Sequence, residues 1–241
     1  MSGRLRKLPQ DGFANVHQKY NLHSEVVTLI MSEQKVIEGD CLEIMRGFAD
    51  KSFDLVLTDP PYGIGEAAGK NKSRGKLAIA KDYGNESWDD EPPSKEYFDE
   101  MRRVSKNQII FGGNYFADNL PASSCWLVWD KNNGANDFAD CELAWTSLER
   151  AVRLFKYTWN GMIQEDMKHK ERRAHPTQKP LELMKWCLSQ VPDAVTILDP
   201  FMGSGTTLVA AKYLGRNATG IEISPKYCEI ARNRLSQEML F

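Results

Sequence analysis

The segment from Val195 to Ala211 constrains the fold most. It reads as an apolar strand, Val195-Thr196-Ile197-Leu198, then a loop, Asp199-Pro200-Phe201-Met202-Gly203-Ser204-Gly205-Thr206-Thr207, then an apolar helix through Leu208-Val209-Ala210-Ala211. A second strand, Asn217-Ala218-Thr219-Gly220-Ile221, follows and ends at Glu222. Strand, helix and strand in so short a stretch predict parallel neighbours, because the helix carries the chain back along the sheet. The glycines let the backbone turn tightly and approach a ligand closely. The helix that follows aims unpaired N–H groups at the loop. Glu222 falls near the spacing of about 20 residues at which an acid reaches a ribose hydroxyl in dinucleotide folds.

Three ligands use loops of this kind. A nucleotide-hydrolysing loop needs Gly-Lys-Ser/Thr, but Gly205 is followed by Thr206; a nicotinamide or flavin site expects a third glycine where this chain has Leu208. S-adenosylmethionine carries adenosine and an amino acid without a phosphate, so it needs the turn and the ribose acid alone, and the loop fits it best. The competing reading is a glycine-rich turn that holds nothing.

A second feature lies upstream. Asp59-Pro60-Pro61-Tyr62 ends the apolar run Phe53-Asp54-Leu55-Val56-Leu57-Thr58, so a buried strand delivers it to a sheet edge. The acid accepts hydrogen bonds from an amino group. The prolines fix φ and remove two backbone donors. The tyrosine offers a flat face. Together they suit a planar molecule with an exocyclic amine, such as a nucleobase; the bland alternative is a polyproline turn capping a strand.

The remaining chain supports a single α/β domain over 34–241, preceded by an arm over 1–33 with a basic start at Arg4, Arg6 and Lys7. Strands are expected at Lys35–Glu38, Phe53–Thr58, Gln108–Phe111, Cys125–Trp129, Glu142–Trp145 and Val152–Thr158. Helical turns are expected from Leu42 to Phe48, and helices at Ser94–Val104, Lys179–Ser189 and from Pro225 to about Gln237. Ser94 is a candidate N-cap, Pro180 suits a first helical turn, and Tyr97, Phe98, Met101 and Val104 share one face. Strands alternating with helices predict a doubly wound, Rossmann-like, mostly parallel sheet. Residues 63–91 form a long polar segment of the kind that carries function.

Composition sets limits. The net charge of −2 and pI near 6.1 are not those of a general nucleic-acid binder, so any DNA surface is a local patch. Cys41, Cys125, Cys141, Cys187 and Cys228 are scattered singly. They suggest neither a metal site nor a disulfide framework, and are expected to be buried, reduced thiols of a cytosolic protein. No apolar run is long enough to span a membrane.

The two motifs together resemble the amino-methyltransferases of DNA, which transfer methyl from S-adenosylmethionine to adenine N6 or cytosine N4. The catalytic motif is Asp59-Pro60-Pro61-Tyr62 and the cofactor motif Phe201-Met202-Gly203-Ser204-Gly205, in the circularly permuted order of the family's beta group. His175-Pro176-Thr177-Gln178-Lys179-Pro180 matches that group's segment before the cofactor strand. Phe111-Gly112-Gly113-Asn114-Tyr115-Phe116 is similar to adenine methyltransferases of prophage type. The resemblance runs from about Val36 to Leu235. It implies an antiparallel addition at the sheet edge. It assigns Asp40, with Cys41, to the cofactor's adenine, Asp199 to its methionine amine, and Phe201 to packing on the adenine side. Gly203, Ser204, Gly205 and Thr206 form the loop, Glu222 takes the ribose, and Thr177 and Lys179 line the same pocket. Trp129 is implied as a wall of the target-base pocket.

The chemistry follows from the target. An aromatic amine is a poor nucleophile because its lone pair is delocalised. Asp59 and the Pro60 carbonyl can accept its two hydrogens and turn the lone pair toward the sulfonium methyl, so catalysis rests on positioning and oriented dipoles. A base inside a duplex must first be flipped out, and Tyr62 then stacks on it. Carbon methylation of cytosine needs a nucleophilic Cys, usually after Pro, and no Pro-Cys pair occurs. Aspartate at the first motif position leans toward adenine N6. Cytosine N4, a catalytically silent nucleic-acid-binding relative, and an amide methyltransferase of proteins are the alternatives; the last has the opposite motif order.

Two basic stretches are candidate phosphate contacts: Lys70, Lys72, Arg74 and Lys76 after the catalytic motif, and Lys168, Lys170, Arg172 and Arg173 before His175. The interval near 148–173, where the beta group places target recognition, is short. That implies an enzyme that reads a short sequence, or a homodimer that extends its footprint. A restriction endonuclease partner is not determined by the sequence.

Overall fold

In the computed structural model, residues 32–63, 92–134, 139–160, 163–171, 173–174 and 177–237 are described. They belong to the second of two units, Met31–Phe241; the first, Met1–Ile30, holds most of the expected arm and lies outside them, as does most of the polar segment 63–91.

The chain order is β1 (Gln34–Glu38), α1 (Cys41–Arg46), β2 (Phe53–Thr58), α2 (Lys95–Val104), β3 (Ser105–Phe111), β4 (Trp126–Asp130), β5 (Cys141–Thr146), β6 (Arg153–Lys156), β7 (Trp159–Asn160), β8 (Ile163–Gln164), α3 (Leu181–Ser189), β9 (Thr196–Asp199), α4 (Thr206–Tyr213), β10 (Asn217–Glu222) and α5 (Pro225–Ser236). Eight strands form one sheet in the order β1-β10-β9-β2-β3-β5-β4-β6. The first five are mutually parallel; β5 runs antiparallel to β3 and β4, and β6 is parallel to β4. The doubly wound, mostly parallel sheet expected from the sequence is therefore present. Its reversed strand, β5, is third from the edge. β7 and β8 pair as a separate antiparallel hairpin beyond the strand expected at Val152–Thr158, where no element is expected from the sequence.

The central strands β2, β3 and β9 are buried on both faces, and alternate residues divide between two cores. Leu55, Leu57, Ile109, Phe111 and Ile197 pack with Leu183, Met184, Leu188, Leu208 and Ala231 of α3, α4 and α5. Val56, Ile110, Leu198 and Ile221 pack with Met45 of α1 and Phe98, Met101 and Val104 of α2. The α2 stripe is the one its spacing predicts, with Tyr97 half-buried at its margin. Ser94 occupies the N-cap position, but its side chain accepts no capping bond; the Tyr97 N–H instead reaches the Ser94 carbonyl. Pro180 caps α3 from just outside the helix.

One contact aligns the two strands that matter most. The Asp54 carboxylate, at the start of β2, accepts from the N–H groups of Val195 and Thr196, the Thr196 hydroxyl and the Lys106 ammonium. Burial pushes this carboxyl up, but those donors outweigh it and hold it below the usual range. Asp54 thereby ties β9 to β2 at the end of the sheet remote from their loops. The five cysteines are free. Cys41, Cys125, Cys187 and Cys228 are buried as expected, whereas Cys141 is exposed, at the start of β5. Among the described residues no helix is long and apolar enough to cross a membrane.

Candidate active site

β9 and β2 are neighbours in the sheet, and the chain leaves them in opposite directions. From β9 it passes through α4 to β10; from β2 it passes through α2 to β3 on the other side. Loops that diverge from adjacent carboxyl ends open a crevice at such a switch point. Here the crevice is a cavity of about 850 Å³, and both sequence motifs line it. Asp59 and Pro61 come from one loop, Gly203, Ser204 and Thr206 from the other, with Asp40 and Glu222 at the ends of β1 and β10.

The glycine loop is held from below. Gly205 caps α4 in the left-handed region at φ 78°, and a Cβ there would fall 2.9 Å from the Ala231 Cβ. The Gly203 N–H donates to Glu222 Oε2 at 3.0 Å and the Ser224 N–H to Oε1 at 2.8 Å, which fixes the acid expected to meet a ribose. Asp40 serves in two ways. It caps α1 by accepting from the Glu43 N–H at 3.0 Å, and it lines the cavity, where the Tyr97 hydroxyl bonds to it. Burial, then the Asp40 charge, pushes the Tyr97 phenol up. Phe201 lies 5.9 Å from Tyr97, ring centre to ring centre, so two aromatic rings face the cavity. Tyr97 escaped the sequence reading because it counted only as part of a helix face. Cys41 follows Asp40 on the wall, and burial pushes its thiol up, which leaves it protonated and inert.

Asp199 is buried between the motifs. The Thr58 hydroxyl donates to its Oδ1 at 2.7 Å and the Phe201 N–H at 3.2 Å, while burial pushes the carboxyl up to about 6. Arg234 of α5 is a further residue that the sequence reading missed. Its Nη1 donates to the Ser204 carbonyl at 2.7 Å and to the Ser204 and Thr206 hydroxyls at 3.0 Å each, and its Nη2 lies 3.4 Å from Glu171 Oε1. No motif marks an arginine whose partners are 28 to 63 residues away.

On the catalytic side both oxygens of Asp59 have a donor. The Tyr62 hydroxyl donates to Oδ1 at 2.6 Å, and Lys179 Nζ donates to Oδ2 at 2.5 Å. Lys179 was grouped with the cofactor's methionine pocket; the structure sets it against Asp59, on the same cavity wall. Its ammonium also lies 3.1 Å from Glu142 Oε2, and Glu142 Oε1 pairs with Lys131. Burial raises the Asp59 carboxyl, with the Glu142 charge adding to that and Lys179 opposing it. For Glu142, burial pushes up, but Lys179 and Lys131 together carry its carboxyl below the usual range. Burial depresses the Lys179 ammonium, yet the two carboxylates prevail and raise it, so it stays charged. Tyr62 stacks on Tyr115 and meets Phe116 edge-on.

The expected DNA contacts fare unevenly. Trp129 is not a wall of this cavity. It is 2 % exposed, faces the core from β4 and donates its Nε1 proton to the Tyr157 carbonyl at 2.9 Å. Strand alternation explains the correction: Leu127 and Trp129 point to the core, Trp126 and Val128 to the other face. Lys168 and Lys170 are exposed, as a phosphate contact requires. Arg173 is half-buried, with its guanidinium 4.5 Å above the Trp159 ring. Lys70, Lys72, Arg74, Lys76 and Arg172 lie outside the described residues.

Comparison with known proteins agrees with this geometry. The family described as DNA methylase, of the N6/N4 type, matches residues 125–233. The type II methyltransferase M.HinfI of Haemophilus influenzae is 29% identical over 250 residues, covering 84% of this chain and 68% of the relative. M.HpaI of Haemophilus parainfluenzae, also a type II methyltransferase, is 26% identical over 86% of this chain and 75% of its own. Among solved structures, the complex of M1.HpyAVI with SAM superposes with a TM-score of 0.52 at 25% identity, covering 85% of this chain and all of that one. The cytosine-N4-specific PvuII DNA methyltransferase gives 0.56 at 16% identity, over 88% and 89%, and shows the fold alone.

Proposed function

We propose that this chain, a member of the DNA methylase family, transfers the methyl group of S-adenosylmethionine to the N6 amine of an adenine flipped out of double-stranded DNA. The observation that carries the reading is the shared cavity: the acid and proline of the catalytic turn and the glycine loop with its terminal Glu222 line one space.

The residues present fit the cofactor. Glu222 and Asp40 are carboxylates suited to hydroxyl and amino groups, Tyr97 and Phe201 supply aromatic walls, and Asp199 is a buried acid with a raised affinity for a cation's proton or charge. When bound, the cofactor supplies a methyl group on a sulfonium, already a good leaving group. The chain's own residues must then place the amine. Each Asp59 oxygen already accepts one bond and keeps a further lone pair. The carboxylate therefore accepts an amino hydrogen without first breaking from Tyr62 or Lys179. The ammonium beside it opposes full proton abstraction, so Asp59 acts as an oriented acceptor, with the Pro60 carbonyl as the second. The N–CH3 bond forms as the S–CH3 bond breaks, and the proton leaves afterwards, when the nitrogen is cationic. Burial of the whole group strengthens these dipoles, because little water competes.

Exposed Lys168 and Lys170, in the interval near 148–173 where target recognition is proposed, are the described candidates for phosphate contact. Incubation with labelled cofactor and duplex DNA, followed by mass spectrometry of the digested nucleosides, tests the reading. N6-methyladenine is expected. N4-methylcytosine would overturn the choice of base, and no transfer would overturn the activity.

A further inference from the structure

Asp59, Lys179, Glu142 and Lys131 form a chain of alternating charge that leads away from the cavity wall, with Lys179 its most buried member. Two carboxylates and two ammoniums sum to zero, the condition under which a buried ionic group is tolerable. The four side chains come from the loop after β2, the segment before α3, strand β5 and the residue after β4. Asp59 and Lys179 line the cavity; Glu142 and Lys131 do not. Glu142 therefore stands behind the catalytic turn and reaches it through Lys179.

The arrangement solves a problem that Asp59 poses. A buried carboxylate without a cation takes up a proton and becomes a donor, which is useless for holding an amino hydrogen. A lysine alone would supply the charge but, free to rotate on a flexible stem, would not fix the carboxylate. Glu142 holds the ammonium from the far side and is itself held by Lys131.

We propose that Glu142 is a positioning residue for methyl transfer, which fixes the Lys179 ammonium and through it the orientation of the Asp59 carboxylate. The inference rests on the methyl-transfer reading above. The charged and titratable groups that face Asp59 are Tyr62 from its own turn, Lys179 from before α3, Glu142 from β5 and Asp199 from β9; Lys131 faces Glu142. Loss of the Glu142 charge leaves the whole ammonium to Asp59 and lowers its proton affinity. Loss of the Lys179 charge raises it.

The experiment is the pH dependence of single-turnover methyl transfer to duplex DNA, with cofactor saturating at every pH. Glu142→Gln is expected to slow transfer on the order of ten- to a hundred-fold and to move the acid limb to lower pH. Lys179→Gln is expected to move that limb to higher pH, each shift being about one pH unit or more. Glu142→Asp keeps the charge and is expected to leave the limb in the wild-type position, with the rate partly restored. Cofactor affinity of Glu142→Gln, measured by calorimetry, should stay within about threefold of wild type, a fold-change worth less than about 1 kcal/mol. Limbs that stay in place, or that move the same way in Glu142→Gln and Lys179→Gln, would overturn the proposal while methyl transfer by the wild type stands. If the wild type methylates no DNA at any pH, the methyl-transfer reading falls first and takes this inference with it.

Discussion

Tyr62 and Tyr115 stack, with ring centres 4.8 Å apart and planes 16° apart. Tyr62 is the ring expected to receive a flipped base. A base between the two rings would need two van der Waals contacts, about 7 Å in all, so the Tyr115 ring covers one face of Tyr62. Tyr115 is 51% exposed and sits in the turn after β3, and its departure would cost little besides the stacking itself, about 0.5–1.5 kcal/mol. Tyr115→Ala is therefore expected to lower KM for duplex DNA about two- to tenfold with kcat little changed. Steady-state kinetics on one methylatable duplex checks it; a raised KM would show that Tyr115 contacts the DNA instead.

Gly112 is the partner of that arrangement. Its φ is 70°, and a Cβ added there would fall 2.2 Å from Tyr62 Cε1. Gly112→Ala must displace the Tyr62 ring and strain the backbone, the latter alone costing about 1–2 kcal/mol. Calorimetry should show a reduced melting temperature and near-normal cofactor affinity, while transfer to DNA is lost. A variant with wild-type turnover would mean that the Tyr62 ring has no fixed place in the reaction.

Asp199 gives a pH-dependent expectation. Its carboxyl is at about 6 in the folded chain against 3.8 for the free side chain. The folded state thus holds this proton over a pH range where the unfolded chain has lost it. Stability from this group falls as pH rises from about 4 to 6, and above 6 an ionised buried acid costs up to about 3 kcal/mol. Asp199→Asn should melt higher than wild type at pH 7 and no higher at pH 4. The same change should weaken cofactor binding by tenfold or more, because the buried charge is what a bound cation would use. Equal melting temperatures at pH 7 would show that the carboxylate is compensated within the protein.

How far the chain was legible depends on the range of each interaction. β2 matches its expected limits at both ends, and the α2 stripe is right, because period-two and 3.6-residue patterns are local. The Asp40 cap on α1 is local in the same way, since its partner is three residues on. Lys179 was visible as part of a motif and lines the cavity as expected, yet its contact with Asp59 spans 120 residues and no local pattern marks it. Glu142 was read only as part of a strand, since a single acid in β5 carries no pattern. Trp129 lies off the cavity wall, and the sequence did not show it, because a strand with a core on each face does not say which tryptophan packs on which core.

Arg234 is the clearest case of a site residue hidden by distance, and its loss should be informative. One guanidinium ties α5 to the Ser204 carbonyl and to the Ser204 and Thr206 hydroxyls, and pairs with Glu171 in the segment that follows β8. Glu171 in turn accepts from the Leu181 N–H and from Gln178, so the glycine loop and the start of α3 share one polar support. Burial lowers the Arg234 guanidinium, but it remains charged at any ordinary pH. Arg234→Met removes the charge while filling much of the space. It leaves the half-buried Glu171 without its cation, which costs about 1–3 kcal/mol, and it frees the loop from α5. We expect a marked fall in melting temperature and at least tenfold weaker cofactor binding by calorimetry. Replacing both partners, as Arg234→Met with Glu171→Gln, removes the stranded charge and should recover most of the stability, because paired loss costs less than single loss. Cofactor affinity should stay low in the double variant, since Ser204 and Thr206 still lack their donor. Recovery of stability and affinity together would mean that Arg234 only neutralises Glu171 and does not shape the loop.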